Sequence, residues 1–305
     1  MRRRNWAALF LFIAGAALLL AGFAMAGFDL DNLNTGGPLV ARTYEAAEEV
    51  TRIMVREMDA DVELVISEDG RARVTCEENE AFCYDITEED GVLTVEKRDL
   101  REARFGLYFG FYQGSVLKIE VPADTAVDVE TQNGSIRLTG GAEGLSSPTV
   151  SLQSANGSIV AEGLRAGEAT MCTSNDDVEI ADVEAETLTA ATSNGAVTLC
   201  GVDVGEASVQ TRNGGIRLED VHADALTART ENDDIAFSGV EAARSIDLET
   251  SNGDIRGTLP GSPGDYSVES AATNGENSLP ELLEGDGVYL RVMTENGDID
   301  VTFAQ

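Results

Sequence analysis

One asparagine recurs nine times, at Asn133, Asn156, Asn175, Asn194, Asn213, Asn232, Asn252, Asn274 and Asn296. Successive spacings are 23, 19, 19, 19, 19, 20, 22 and 22 residues. Each asparagine sits in a version of the same phrase, such as VETQNGSIRL (129–138), VQTRNGGIRL (209–218) and LETSNGDIRG (248–257). A period near twenty residues marks a solenoid, in which each copy is one coil buried against its neighbours.

Apolar residues stand at fixed offsets from each asparagine. Six positions before it are Val127, Val150, Leu188, Leu226 and Ile246; three after it are Ile136, Ile159, Val197, Ile216 and Ile255. Within each limb they alternate with polar residues, the period of a strand with one buried face. The limbs are about five residues long, an ordinary strand length. Asn-Gly or Asn-Asp between the limbs marks a sharp turn, with glycine free to take positive φ. Taken singly, Asn-Gly suggests a hairpin. Four equal spacings and recurring residue types favour vertical stacking instead, with like residues about 4.8 Å apart. The expectation is an all-β, single-stranded parallel β-helix (β-solenoid) of about nine coils, roughly 43 Å long at that rise. An asparagine ladder should line one corner, with a threonine ladder just inside it.

The chain has 305 residues. Arg2–Arg4 precede an uncharged run from Trp6 to Phe28, which is long enough to span a bilayer as a helix. Ala24-Met25-Ala26 also fits a cleavage site, so a signal peptide competes with an anchor; the length favours the anchor. The flanking arginines would keep the N-terminus cytoplasmic and place residues 29–305 outside. Residues 1–28 are thus expected to be a transmembrane anchor, 29–45 a linker, 46–125 an irregular β cap and 126–305 the solenoid. MDADVELV (58–65) reads as a worn coil with Asp59 in the asparagine place. RARVTC, FCYDIT and GVLTVEKR then read as strands of a meander. A cap is needed because an open solenoid end is a bare strand edge.

The formal net charge is −34. Such a surface repels nucleic acid and anionic lipid and keeps a rod soluble. Of four cysteines, Cys76 and Cys83 flank a turn, and a disulfide between them is possible outside the cytoplasm. Cys172 and Cys200 are expected to stay unpaired.

The apolar N-terminal segment, the degenerate copy MDADVELV and the T-x-N-G-x-I-x-L phrase resemble a bacterial family labelled "putative adhesin", a β-strand-repeat domain of otherwise unknown function. The resemblance covers about residues 46–305. It implies a β-solenoid at the cell envelope and carries no catalytic residues.

The leading functional reading is a non-enzymatic surface module, adhesin-like or a scaffold, whose partner is an envelope protein or a glycan. The loop FGLYFGFYQG (105–114) concentrates Phe105, Tyr108, Phe109, Phe111 and Tyr112 outside any repeat. It reads either as a plug for the solenoid end or as a partner contact. A regulatory partner in envelope-stress sensing is an alternative. A polysaccharide-acting enzyme needs only two suitably placed carboxylates, but no convergent constellation is visible and the single histidine, His222, falls on a connection. No cofactor is expected. Calcium is the candidate considered, because Asp177, Asp234, Asp254 and Asp298 share one repeat position. Ala196 and Gly215 interrupt that stack.

Overall fold

The structure is a computed structural model that describes Gly15 and residues 38–100, 115–141 and 144–304. Its strands begin with β1 (Val40–Glu45), β2 (Arg52–Arg56), β3 (Asp61–Ile66), β4 (Arg73–Glu78), β5 (Phe82–Glu89), β6 (Val92–Asp99) and β7 (Val116–Val121). The repeats supply β8 (Ala126–Thr131), β9 (Ile136–Thr139), β10 (Leu145–Ser154), β11 (Ile159–Cys172), β12 (Val178–Ala191), β13 (Val197–Gln210), β14 (Ile216–Thr230), β15 (Ile235–Thr250) and β16 (Ile255–Pro260). The chain closes with β17 (Tyr266–Ala272), β18 (Leu282–Leu283), β19 (Val288–Thr294) and β20 (Ile299–Ala304).

Successive repeats pair in parallel and in register. Val178 lies beside Val197, which lies beside Ile216, which lies beside Ile235. This excludes the hairpin meander, since hairpin neighbours would be antiparallel. The inward positions three and five after the asparagine are apolar in nearly every coil, the exception being Asn277, which stands beside Ile299. Ile136, Leu138, Leu152, Ile159, Val197, Leu199 and Leu218 have no exposed surface.

Strands β11 to β15 run 14 to 16 residues, far longer than the five-residue limbs. A second corner lies inside each, seven residues after the asparagine. It is occupied by Gly163, Asp182, Gly201, Asp220 and Gly239, all at φ between 52° and 68°. Positive φ excludes most residues but admits glycine and, at small cost, aspartate. The alternation also solves a spacing problem, because the Asp182 carboxylate sits where a Gly201 side chain would go.

At both ends the coils stack out of chain order. The first coil, β2 and β3, lies between β8/β9 on one side and β6/β7 on the other. At the far end, β19 inserts between β15 and β17, and β20 pairs with β16. The last repeat therefore sits inside the eighth. Antiparallel strands then finish the N-terminal edge: β4 joins β7, β1 joins β4 and β5 joins β6. The C-terminal edge is the two-residue β18. Short or charged edges discourage further strand addition.

Three expectations need correction. No helix among the described residues is long and apolar enough to cross a membrane, so neither the preceding transmembrane helix nor the single-pass placement with a cytoplasmic N-terminus is upheld. Length and hydropathy permit a spanning helix without specifying one. The structure instead places apolar residues on inward strand positions, and the helical turn Pro263–Asp265 is three residues long. The segment 1–28, apart from Gly15, lies outside the described residues. Residues 46–125 contain two stacked layers of the solenoid as well as irregular strands, and 40–45 form β1 rather than linker. Finally, the glycines after the asparagines do not adopt positive φ. They are required for close approach, because a methyl on Gly214 would run into the carbonyl oxygen of Gly195.

Ile216, 2 % exposed between Val197 and Ile235, tests the inward assignment. An unpaired carboxylate there has no partner in an apolar ladder, so Ile216→Asp should lose about 4 kcal/mol or more. Urea unfolding checks it; an unchanged midpoint would refute the inward placement.

Candidate interaction surfaces

The asparagine corner is a continuous amide ladder. Asn156 Nδ2 donates to Asn133 Oδ1 at 2.8 Å, Asn175 to Asn156 at 2.7 Å, Asn194 to Asn175 at 2.7 Å, and Asn213 to Asn194 at 2.8 Å. It continues through Asn232, Asn252 and Asn296 to Asn274, following the spatial rather than the chain order. At the other end Asn133 donates to the Asp59 carboxylate at 2.9 Å. An acceptor-only group suits the end of a ladder whose donors all point one way.

Just inside, Thr173, Thr192, Thr211, Thr230, Thr250 and Thr294 are buried. Each hydroxyl donates to a carbonyl of the adjoining coil, as Thr211 does to Gly195 at 2.9 Å and Thr230 to Gly214 at 2.9 Å. This meets the requirement that buried polar groups be bonded. The aspartates considered for calcium serve the backbone too. Asp177 Oδ1 accepts from Ala196 N at 2.8 Å, Asp234 from Asp254 N at 2.7 Å, and Asp254 from Asp298 N at 2.7 Å. No group of three metal-ligating side chains is arranged to hold an ion among the described residues.

The face before the asparagine corner differs in charge from the rest. Ser151, Thr170, Thr189, Ser208 and Thr227 stand in one outward row. Gln153, Cys172, Ala191 and Gln210 form the row beside it. A quarter of the chain is charged, yet none of these nine positions is. Ion pairs close the face at each end: Arg56 with Asp128 at 3.1 Å, and Arg229 and Arg291 with Asp247 at 2.7 and 2.8 Å. On another face, a shallow groove of about 470 Å³ is lined by Ser146, Ser147 and Gly167 together with Arg165, Glu184 and Asp203. Its Arg165 and Glu184 are paired at 3.2 Å.

The densest polar cluster lies at the first coil. Glu57 occupies the place of the buried threonine, two before Asp59. Its Oε1 accepts from Lys97 Nζ at 2.8 Å and from the N–H groups of Met58, Asp59 and Ala60; Oε2 accepts from Tyr84 OH at 2.6 Å. The Lys97 ammonium lies 4.7 Å from the Phe82 ring centre. Burial alone pushes the Glu57 carboxyl up, but bonds from Lys97, Tyr84 and the backbone outweigh it and hold it below 4.5. Burial and the adjoining Glu57 charge push the Tyr84 phenol up.

The aromatic loop residues Phe105, Tyr108, Phe109, Phe111 and Tyr112 lie outside the described residues. Cys76 and Cys83 are free thiols, and β4 and β5 share no ladder, so the expected facing pair does not form. Ladder partners divide them: β4 pairs with β1 and β7, and β5 with β6. His222 is exposed in the row of Asp203 and Glu241. The Glu57 cluster and the uncharged face were not anticipated. Extending the repeat offsets to Glu57, and counting charge row by row, exposes both.

The family description Toastrack DUF4097 matches residues 50–302. No curated protein matches the chain. Similar solved structures include a "putative adhesin" from Bacteroides fragilis NCTC 9343, at 15% identity, TM-score 0.47, covering 89% of this chain and 99% of that one. A "putative lipid binding protein" from Parabacteroides distasonis ATCC 8503 has 15% identity, TM-score 0.45 and coverage of 88% and 98%. A "putative adhesin" from the same strain has 14% identity, TM-score 0.44 and the same coverages. None of these names is that of an enzyme.

Two measurements probe these sites. Asn213→Ala removes a donor and an acceptor from mid-ladder and should cost about 1–3 kcal/mol. Asn274→Ala should cost less, because Asn274 terminates the ladder with one bond to Asn296 at 2.9 Å; equal urea midpoints would contradict the ladder's role. For Glu57, a folded pKa below 4.5 means its stabilisation is full above that pH and fades as pH falls through the folded value. The stability gap between the wild type and Glu57→Gln should therefore be widest near neutral pH and narrow in acid, as read by melting temperature across a pH series.

Proposed function

The chain belongs to the Toastrack DUF4097 family, and from that premise we propose that it is a non-enzymatic, adhesin-like binding module whose partner lies along the uncharged face. The observation that supports this reading is the unbroken neutral strip from Ser151 to Gln210 on a chain of net charge −34. Acidic surface is repulsive to most envelope polymers, and a neutral strip is where a partner can approach without losing hydrated charge. A hydroxyl repeats along it once per coil, at about 4.8 Å, and Gln153 and Gln210 add amides beside it. That regular row of donors and acceptors suits a neutral glycan chain, which presents hydroxyls at regular intervals of its own. Flat, wet contacts of this kind gain affinity from many weak hydrogen bonds rather than one deep pocket.

The test places charge in the strip without touching the core. Thr189 and Ser208 point outward, so a Thr189→Asp/Ser208→Asp variant should keep its melting temperature within a few degrees. Binding to immobilised neutral polysaccharides should fall at least tenfold in the variant, measured by surface plasmon resonance. Equal binding by both proteins, or none by the wild type, would sink the proposal.

A further inference from the structure

Seven of the nine ladder asparagines are followed by glycine. An Asn-Gly pair is chemically fragile in an unfolded chain, because the unhindered glycine nitrogen can attack the carbonyl carbon of the asparagine side chain. The attack has two requirements. The side-chain amide must be free to turn toward the backbone, and water must reach the glycine N–H to remove its proton. The interior of the stack denies both. Asn213 is gripped from two sides, donating to Asn194 Oδ1 and accepting from Asn232 Nδ2, each at 2.8 Å. Gly134, Gly157, Gly195 and Gly214 donate their N–H groups to the hydroxyls of Thr131, Ser154, Thr192 and Thr211 at 2.9 to 3.3 Å. These four glycines and Gly253 are buried, and Gly297 is half-buried.

Gly275 is exposed, alone among the seven. It sits on the Gly297 carbonyl, and no described glycine sits on it in turn. Ala272 stands in the threonine place, so no hydroxyl there can hold the Gly275 nitrogen. Asn274 ends the ladder: its Nδ2 donates to Asn296 Oδ1 at 2.9 Å, and no further asparagine bonds its Oδ1. The Asn274 backbone N–H is tied to Glu295 O at 2.9 Å, but that of Asn213 is tied to Ser193 O at 3.0 Å in the same way. This tether therefore does not distinguish the two sites, whereas exposure, the missing hydroxyl and the one-sided amide all do.

We propose that Asn274 is a self-modification site of the folded protein, converting to aspartate and isoaspartate while the stack protects the other six Asn-Gly pairs. Solvent hydroxide takes the Gly275 N–H proton, and the nitrogen attacks Asn274 Cγ. The Cγ–Nδ2 bond breaks, and Nδ2 takes a proton from water and leaves as ammonia. The cyclic imide then adds water. Opening at Cγ gives aspartate, and opening at the backbone carbonyl gives isoaspartate. One asparagine and one water become one acidic residue and one ammonia, with no oxidant or cofactor. The product sets an acceptor-only carboxylate against Asn296 Oδ1, so the last rung of the ladder is lost. Isoaspartate also lengthens the backbone by a methylene at the corner. Either change loosens β17 where it leaves β19, at the Ala272–Thr294 end of their pairing. Interior pairs react only through local opening, and every ~1.4 kcal/mol of opening cost slows them tenfold.

Peptide mapping of the wild-type full chain after incubation in mildly alkaline buffer tests this directly, with and without denaturing urea. In the native chain the peptide holding Asn274 should convert from amide to acid, with isoaspartate as part of the product. The interior pairs, Asn213-Gly214 among them, should lag at least tenfold. In urea all seven pairs should convert at similar rates, which assigns the native selectivity to the fold. Ala272→Ser restores a hydroxyl like that of Ser154 and should slow conversion at Asn274. Native conversion at Asn213 as fast as at Asn274 would overturn the proposal, as would an Asn274 that stays intact in the native chain while it reacts in urea. An unchanged rate in Ala272→Ser would refute the part given to the unheld nitrogen. The wild-type comparison is decisive even where the variant fails to fold, and it is independent of what the uncharged face binds.

Discussion

Backbone meets backbone at the asparagine corner, and the remainder of the rod depends on that contact. The carbonyl of one coil occupies the volume that a side chain on the next glycine would need, as Gly195 does beneath Gly214. Such proximity leaves each corner carbonyl and amide in want of a partner, because water cannot enter between coils. Threonine hydroxyls answer the carbonyls, asparagine amides answer one another, and aspartates such as Asp177 and Asp234 answer the N–H groups. The apolar ladder inside supplies the driving force. The polar ladder supplies registration, since a slip by one residue would turn every leucine outward.

Charge is distributed around that frame with a purpose that differs by face. The strip from Ser151 to Gln210 is neutral and ends in ion pairs, whereas the row nine residues after each asparagine carries Arg165, Glu184, Asp203, His222 and Glu241. Exposed ion pairs contribute little to stability. Their placement at the ends of the strip matters more for what can approach it than for holding the fold.

Much of this architecture was legible because repeats convert structure into spacing. Asn, Thr and Ile recur at offsets that a parallel stack enforces, and even Asp59 is recognisable as standing in the asparagine place of a worn coil. Other features were not legible for identifiable reasons. A strand inserted out of order, as β19 is between β15 and β17, leaves the repeat phrase intact, since the phrase records the coil and not its neighbours. Positive φ was assigned to the wrong glycines because Asn-Gly signals a turn without saying whether φ or proximity demands the glycine. The true left-handed corner, Gly163 to Gly239, alternates Gly with Asp at a constant offset and could have been read directly. The Glu57–Lys97 contact joins residues forty apart on strands that no local pattern pairs. The apolar N-terminal run shows the converse, as composition permitted an element that the described residues do not contain.

The insertion of β19 and β20 has a mechanical meaning. In a simple solenoid the final coil is held on one side and peels away strand by strand, like tape. Here the last coil is gripped by β15 and β16 on one side and by β17 on the other. Force applied to β19 must shear its ladders with β15 and β17 together instead of unzipping one. The N-terminal layers repeat the arrangement, with β2 held between β6 and β8. In a rod built this way the layers held on both flanks resist peeling better than a layer such as β17–β18, whose outer strand is two residues long.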